Sequence, residues 1–187
     1  MKKIISERGF ISIAILISLI FFGMASIALI WRSDIQRAES YIAEGSGLMQ
    51  VRNALQKYAV ANQQNFIQGK TVMYVNDQYA PTLGELTSLG YFTSTGVDMN
   101  PYGAGYITKL TKQANNSITG MAYINGSVKD SSGAVDQRRA CGIAKALGDI
   151  GLCTNPVNSA MLGNLTTQIA NPTGLPAVVA AQIYVAP

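Results

Sequence analysis

The chain has 187 residues, of which 48% are hydrophobic and 13% are charged. That length suits a membrane anchor with one small domain, and it makes a second independent domain unexpected. The formal charge is +4. Residues 1–8 account for +2 of this charge, from Lys2, Lys3 and Arg8 against Glu7. The remaining sequence has no basic tract longer than Arg138-Arg139. A phosphate-binding face needs clustered Lys and Arg, so we expect no nucleic-acid partner.

Catalytic and metal-binding residue types are scarce. The chain has no histidine, and Cys141 and Cys153 are its two cysteines. The acidic residues beyond Phe66 are scattered singly through predicted turns and helix starts, which is the ordinary position of capping and turn residues. We therefore predict that the protein is not an enzyme and that it has no cofactor and no metal site.

An uncharged run of 22 residues extends from Phe10 to Trp31. A helix of that length, with a rise of about 1.5 Å per residue, crosses the roughly 30 Å of hydrocarbon in a bilayer. The basic residues precede the run, so the positive-inside tendency places the N-terminus in the cytoplasm and the rest of the chain outside. The sequence predicts a single-pass membrane anchor over residues 10–31.

An amphipathic helical pattern continues from residue 32 to residue 66. Apolar or small side chains recur there mostly at steps of three and four residues, while charged side chains fall mainly elsewhere. The predicted buried stripe is Ile35, Ala38, Ile42, Leu48, Val51, Leu55, Tyr58, Ala59, Asn62 and Phe66. No proline or turn cluster interrupts the pattern, so we predict one helix from Phe10 to about Asn65, about 84 Å long. Gly45 and Gly47 are weak points, each costing about 1 kcal/mol relative to Ala.

Residues 67–187 predict a small globular head. A short strand is expected at Val72–Val75, and a helix is expected after Thr82, with Glu85 completing its capping box and Gly90 ending it. Asn100–Gly103 is a predicted turn. The remaining predicted elements are two antiparallel strands at Tyr106–Leu110 and Ile118–Ile124, a helix over Asp136–Leu147 capped by Asp136, and a last strand at Ala177–Val185 inside the sheet. The predicted fold class is α+β.

Cys141 and Cys153 are expected to form one disulfide. In an exported chain, two cysteines separated by eleven residues close a short loop, and the bond contributes about 2 to 3 kcal/mol. The alternative is a pair of catalytic thiols, which the absence of a C-x-x-C motif disfavours.

The junction Arg8-Gly9-Phe10, at which a charged leader ends in Gly before an apolar helix, resembles that of type IV prepilins. The resemblance implies that residues 1–9 are a leader, that a membrane prepilin peptidase cuts after Gly9, and that Phe10 is then N-methylated. The alternative for this segment is an uncleaved signal anchor.

Ala14 departs from the pattern of that family. The fifth residue of a mature type IV pilin is usually Glu, which is thought to pair with the N-terminal amine of a neighbouring subunit. Such a pair lies in an apolar bundle, where an unpaired ion would be costly. Pilin-like proteins at a filament tip can lack this Glu, so Ala14 implies a minor or tip-proximal subunit.

The layout of long helix, antiparallel strands and a Cys pair near the C-terminus is similar to type IVb pilins, including the PilV-like minor pilins of conjugative thin pili. The resemblance implies a pilus subunit that is held in the bacterial inner membrane, with its head in the periplasm, and then packs against other pilin subunits. It implies roles in adhesion, aggregation or mating-pair contact. The alternatives are a type II secretion pseudopilin, whose head commonly lacks this disulfide, and a membrane-tethered binding domain that never polymerises.

Overall fold

The computed structural model describes residues 7–93 and 100–187, and describes side chains from residue 15 onward. Its first element is helix α1, Glu7–Ala61, which is followed after Asn62 by the short helix α2, Gln63–Gln68. The predicted long helix is therefore confirmed, with Gly23, Gly45 and Gly47 all inside α1. The chain divides into two compact units, residues 1–39 and residues 40–187.

The buried stripe of α1 begins later than the sequence pattern predicts. Leu48, Val51 and Leu55 are fully buried, whereas Ile35 and Ile42 are 57% and 61% exposed. Within the second unit the buried line begins at Gly45, and Ile42 lies beside this line rather than on it. The first part of the predicted stripe is therefore wrong, because hydrophobic spacing cannot tell where the covering head begins.

Helix α3, Leu83–Ser88, begins with the predicted capping box. The Glu85 backbone N–H donates to Thr82 Oγ1 at 3.2 Å, and the Thr82 backbone N–H donates to a Glu85 carboxylate oxygen at 2.7 Å. The predicted turn at Asn100 is also confirmed, since the Gly103 N–H donates to the Asn100 carbonyl at 3.0 Å. Both features depend on contacts within four residues, which is why local sequence identifies them.

The strand predicted at Val72–Val75 is wrong, because this segment is a turn. Tyr74 has a φ of 67°, a left-handed conformation that bulky residues rarely adopt and that no strand contains. The Val72 N–H donates to Gln78 Oε1 at 3.0 Å instead of to a neighbouring strand. The β-branched residues Val72 and Val75 favoured a strand, but the backbone of Val72 is hydrogen-bonded to a nearby side chain and not to another strand.

A six-stranded antiparallel sheet forms the centre of the head, in the order β1-β2-β6-β3-β4-β5. The predicted β1–β2 pairing is confirmed, and the C-terminal strand β6 lies inside the sheet as expected. The strands are β1 Tyr106–Lys112, β2 Ile118–Ile124, β3 Gly151–Thr154, β4 Met161–Gly163, β5 Gln168–Ala170 and β6 Val179–Val185. The fold class α+β is confirmed, with the second half of α1 packed on a curled sheet.

Helix α4, Gln137–Ala146, is the predicted helix capped by Asp136, whose side chain accepts from the Arg139 N–H at 2.9 Å. It packs against strand β3, which it meets at Gly151. A Cβ atom on Gly151 would lie 1.9 Å from the carbonyl oxygen of Ala144. The close approach of α4 to the sheet therefore requires glycine at this position.

Gly151→Ala should destabilise the head by about 1 to 3 kcal/mol, the usual cost of overpacking, because the clash is with backbone that can move only by separating α4 from β3. Gly151 has an ordinary extended conformation, so the effect is steric. Thermal unfolding of the two single variants Gly151→Ala and Gly105→Ala checks this, since a Cβ on Gly105 has nothing within 4 Å. Equal midpoints for both variants would contradict the packing described here.

Candidate functional site

Three of the sequence-predicted site residues, Gly9, Phe10 and Ala14, lie within the backbone of helix α1. The side chains of Phe10 and Ala14, and residues 1–6, lie outside the part that the structure describes. Cleavage after Gly9, methylation of Phe10 and the role assigned to Ala14 therefore stay predictions.

The described part of the apolar helix is uncovered along its whole length. Every residue from Ile15 to Trp31 is exposed, and the exposure of the large apolar side chains ranges from 47% for Ile17 to 74% for Phe22. Among the described residues, this is the one helix that by length and composition could cross a membrane, and none of its apolar window is buried against them.

An apolar surface of this size is not stable in contact with water. Lipid can cover it, because every backbone group within a helix is already hydrogen-bonded and the apolar side chains face hydrocarbon. Apolar helices of other subunits can cover it equally well. The helix is therefore a candidate site both for membrane insertion and for helix–helix assembly.

The predicted disulfide between Cys141 and Cys153 is confirmed, with a Cα–Cα distance of 5.1 Å. It joins helix α4 to strand β3, and β3 pairs with both β6 and β4. The bond therefore ties the C-terminal half of the head to one helix. The spacing of the cysteines, with the expectation that the chain is exported, was enough to predict it.

A partly buried charge pair joins α1 to α4 near the start of the second compact unit. Glu44, whose side chain is 9% exposed, faces Arg139, whose side chain is 31% exposed. Arg139 Nε donates to Glu44 Oε2 at 3.0 Å, and Arg139 Nη2 donates to Glu44 Oε1. This two-point geometry is the strong form of an arginine–carboxylate contact.

Two hydroxyl groups complete the surroundings of Glu44. Ser40 Oγ donates to Oε1 at 2.7 Å, and the Tyr102 hydroxyl donates to Oε2. The guanidinium carbon of Arg139 also lies 5.9 Å from the centre of the Tyr102 ring, within range of a cation–π contact. Both carboxylate oxygens are therefore paired more than once, which offsets the cost of burying the charge.

Burial alone would raise the pKa of the Glu44 carboxyl, but hydrogen bonds from Arg139, Tyr102 and Ser40 outweigh it and hold the pKa below its ordinary value. The same contacts also shift the pKa values of Arg139 and Tyr102. The hydrogen bond to Glu44 raises the pKa of Arg139, and burial together with that carboxylate raises the pKa of Tyr102. The cluster therefore keeps one full negative and one full positive charge at neutral pH.

Sequence reasoning missed this cluster. Glu44 and Arg139 are 95 positions apart, and neither belongs to a local motif. The sequence gives only a weak signal for this cluster: Glu44 is the one charged residue in an uncharged stretch in the middle of the amphipathic helix. Only the docking of α4 onto α1 identifies its partner.

Helix α1 and α2 also cover an open edge of β6. Strand β3 pairs with β6 only as far as Ala181, so the following backbone on that side lacks a strand partner. Side chains from the helices donate to three alternate carbonyls instead: Arg52 Nε to Gln182 at 3.1 Å, Gln56 Nε2 to Tyr184 at 3.0 Å, and Gln63 Nε2 to Ala186. The polar residues of the amphipathic helix thus hold the sheet in register.

Among the described side chains, no group of three His, Cys, Asp or Glu residues is placed to hold a metal ion. Comparison of the chain with protein-family models, with curated proteins and with solved structures finds no match.

The stability of the head should fall in acid through Glu44. Its pKa is lower in the folded head than in the unfolded chain, so its contribution is fully present above the unfolded value and is lost as pH falls through the folded value. At neutral pH, Glu44→Gln should cost about 1.5 to 3 kcal/mol, the range for hydrogen bonds to a charged group.

Thermal unfolding of the wild-type protein and of Glu44→Gln, from neutral to strongly acidic pH, measures the contribution of Glu44 to stability. The two midpoints should converge as the wild-type carboxyl becomes protonated. Glu39→Gln is the control, because Glu39 is exposed, and it should leave the neutral midpoint unchanged. A constant gap between wild type and Glu44→Gln at every pH would contradict the ion-pair interpretation.

Proposed function

We propose that this chain is a structural subunit of a type IVb pilus, minor or tip-proximal, which is cut after Gly9 and assembles through its N-terminal helix. The observation that carries the proposal is the uncovered apolar helix. Every described residue of that run is exposed, and the run directly follows a junction, Arg8-Gly9, that resembles the end of a prepilin leader. A surface of this kind needs lipid before assembly and the helices of other subunits afterwards.

The fold of the head supports the same proposal. One half of α1 is left for lipid or for other helices, and the other half is buried beneath an antiparallel sheet whose C-terminal region is closed by a disulfide. This is the layout that the resemblance to type IVb pilins implies. A single helix would in this way join the assembling segment to the displayed head.

The minor or tip-proximal position rests on Ala14. Without a carboxylate at this position, the chain cannot neutralise the N-terminal amine of a subunit ahead of it inside the apolar bundle. A subunit at the tip has no such neighbour. The partners are then other pilin subunits and the prepilin peptidase, and the exposed head would take part in adhesion, aggregation or mating-pair contact.

A type II secretion pseudopilin would use the same anchor and leader. Deleting the gene and scoring surface pili against secreted enzymes separates the two functions. Loss of pili, or of a pilus-dependent contact, with normal secretion supports the pilus. The opposite pattern supports the secretion machine.

The mature protein from its native host should begin at Phe10 and carry one added methyl group on its N-terminal amine. Intact-mass and N-terminal peptide mass spectrometry measure both changes. Gly9→Val should block the cut, because the leader motif places Gly at the cleaved bond. Gly23→Ala should leave processing unchanged, since a Cβ at this position has open space. An intact Met1 in cells that contain active prepilin peptidase would refute the proposal.

A further inference from the structure

A cleft of about 660 Å³ opens beside the disulfide, between the second half of α4 and the turn that joins β4 to β5. Both cysteines line it, together with Lys145, Asn164 and Leu165. Cys141 and Cys153 are each partly exposed, and Lys145 and Leu165 at the rim are exposed. A disulfide in this position can be reached by a thiol while the head is folded, since access is one of the determinants of exchange.

Helix α4 is held in place by contacts that do not involve sulfur. Arg139 binds Glu44, and Gly142 lies so close to the Tyr41 ring that a Cβ would be 2.4 Å from it. Gln137 Oε1 accepts from the Ala177 N–H at 2.8 Å. Because none of these contacts needs the S–S bond, we expect them to remain when the disulfide opens and to keep the two cysteines side by side.

The two sulfur atoms have different surroundings. Gln137 Nε2 donates to the Thr154 carbonyl, and it also lies 3.3 Å from Cys141 Sγ, within hydrogen-bond distance of the sulfur. A hydrogen bond to sulfur favours the thiolate over the thiol, and a stabilised thiolate is the better leaving group in exchange. No described side chain donates in this way to Cys153, which lies in strand β3.

We propose that the Cys141–Cys153 disulfide is a thiol–disulfide exchange site that reacts in the folded head, with Cys153 as the attacked sulfur and Cys141 as the leaving group. The co-reactant is a dithiol, either small or presented by an oxidoreductase. In the forward direction it reduces the bond. In the reverse direction its oxidised form makes the bond after the head has folded.

The exchange balances in two steps. A thiolate of the dithiol attacks Cys153 Sγ, a new S–S bond forms between them, and the bond to Cys141 breaks as Cys141 leaves with the electron pair. The second thiolate of the dithiol then attacks its own partner sulfur, closes the dithiol's disulfide and releases Cys153. The two protons of the dithiol end on the two cysteines, and its two electrons reduce the bond.

The experiment uses the full chain in detergent micelles without denaturant. Dithiothreitol is added at increasing concentrations, the free thiols are alkylated, and the rate is read by mass spectrometry while far-UV circular dichroism follows the fold. We expect a rate that rises in proportion to dithiothreitol, with an unchanged spectrum at room temperature. A rate that levels off at the rate of global opening, measured by amide hydrogen exchange in β6, would show that exchange needs unfolding and would overturn the proposal.

A second measurement locates the attacked sulfur. The oxidised protein is exposed briefly to glutathione, quenched with acid and mapped by peptide mass spectrometry. We expect glutathione mainly on Cys153, with Cys141 free. Gln137→Glu removes the donor to Cys141 but keeps an oxygen that can accept from the Ala177 N–H, and it should slow the reaction and reduce the preference for Cys153 with an unchanged spectrum. Gln168→Met, on the β5 side of the cleft, should do neither. An adduct mainly on Cys141 would overturn the assignment of the leaving group.

Discussion

The structure depends on one constraint: an uncharged helix that the chain does not cover. From Ile15 to Trp31 every residue is exposed, and none of the large apolar side chains is buried among the residues that the structure describes. Because hydrophobic burial is the dominant favourable term in association, such a surface is stable only in lipid or against other apolar helices. The rest of the molecule can be understood as what is attached to this helix and how firmly it is held.

The head is fixed to the second half of the same helix by three different kinds of contact. Leu48, Val51 and Leu55 are buried beneath the sheet, and Arg52 and Gln56, with Gln63 of α2, donate to alternate carbonyls at the end of β6 and just beyond it. Glu44 then ties α1 to α4, which the disulfide ties to β3. Apolar packing supplies most of the free energy, while the directional polar contacts define one register and one orientation.

Local patterns predicted most of the elements of this fold. Thr82 with Glu85 marks the start of α3, and Asp136 marks the start of α4. Two runs separated by polar turn residues mark β1 and β2. Each signal depends on near neighbours in sequence. Strands β3, β4 and β5 were missed. They are only three or four residues long, and they exist because β6 offers β3 an edge on which to pair.

The features of the candidate site also fall into those that local sequence predicts and those that it does not. Its apolar run and its disulfide follow from composition and spacing, whereas the pairing of Glu44 with Arg139 depends on a tertiary contact across 95 positions. The exposure of Ile42 shows the same limit, since helical spacing identifies an apolar stripe but not the element that covers it. Long-range docking, and not propensity, decides these positions.

The most direct test of the central claim is a photocrosslinking probe at Phe22, the most exposed large apolar residue of the described membrane-length run. The probe is placed in the full chain in its native host, and membranes and isolated filaments are irradiated separately. The proposed function predicts adducts with lipid in the membrane fraction, and adducts with the N-terminal helices of other subunits in the filaments. Lipid adducts in both fractions, with no subunit adduct in the filaments, would contradict a polymerising role for this helix.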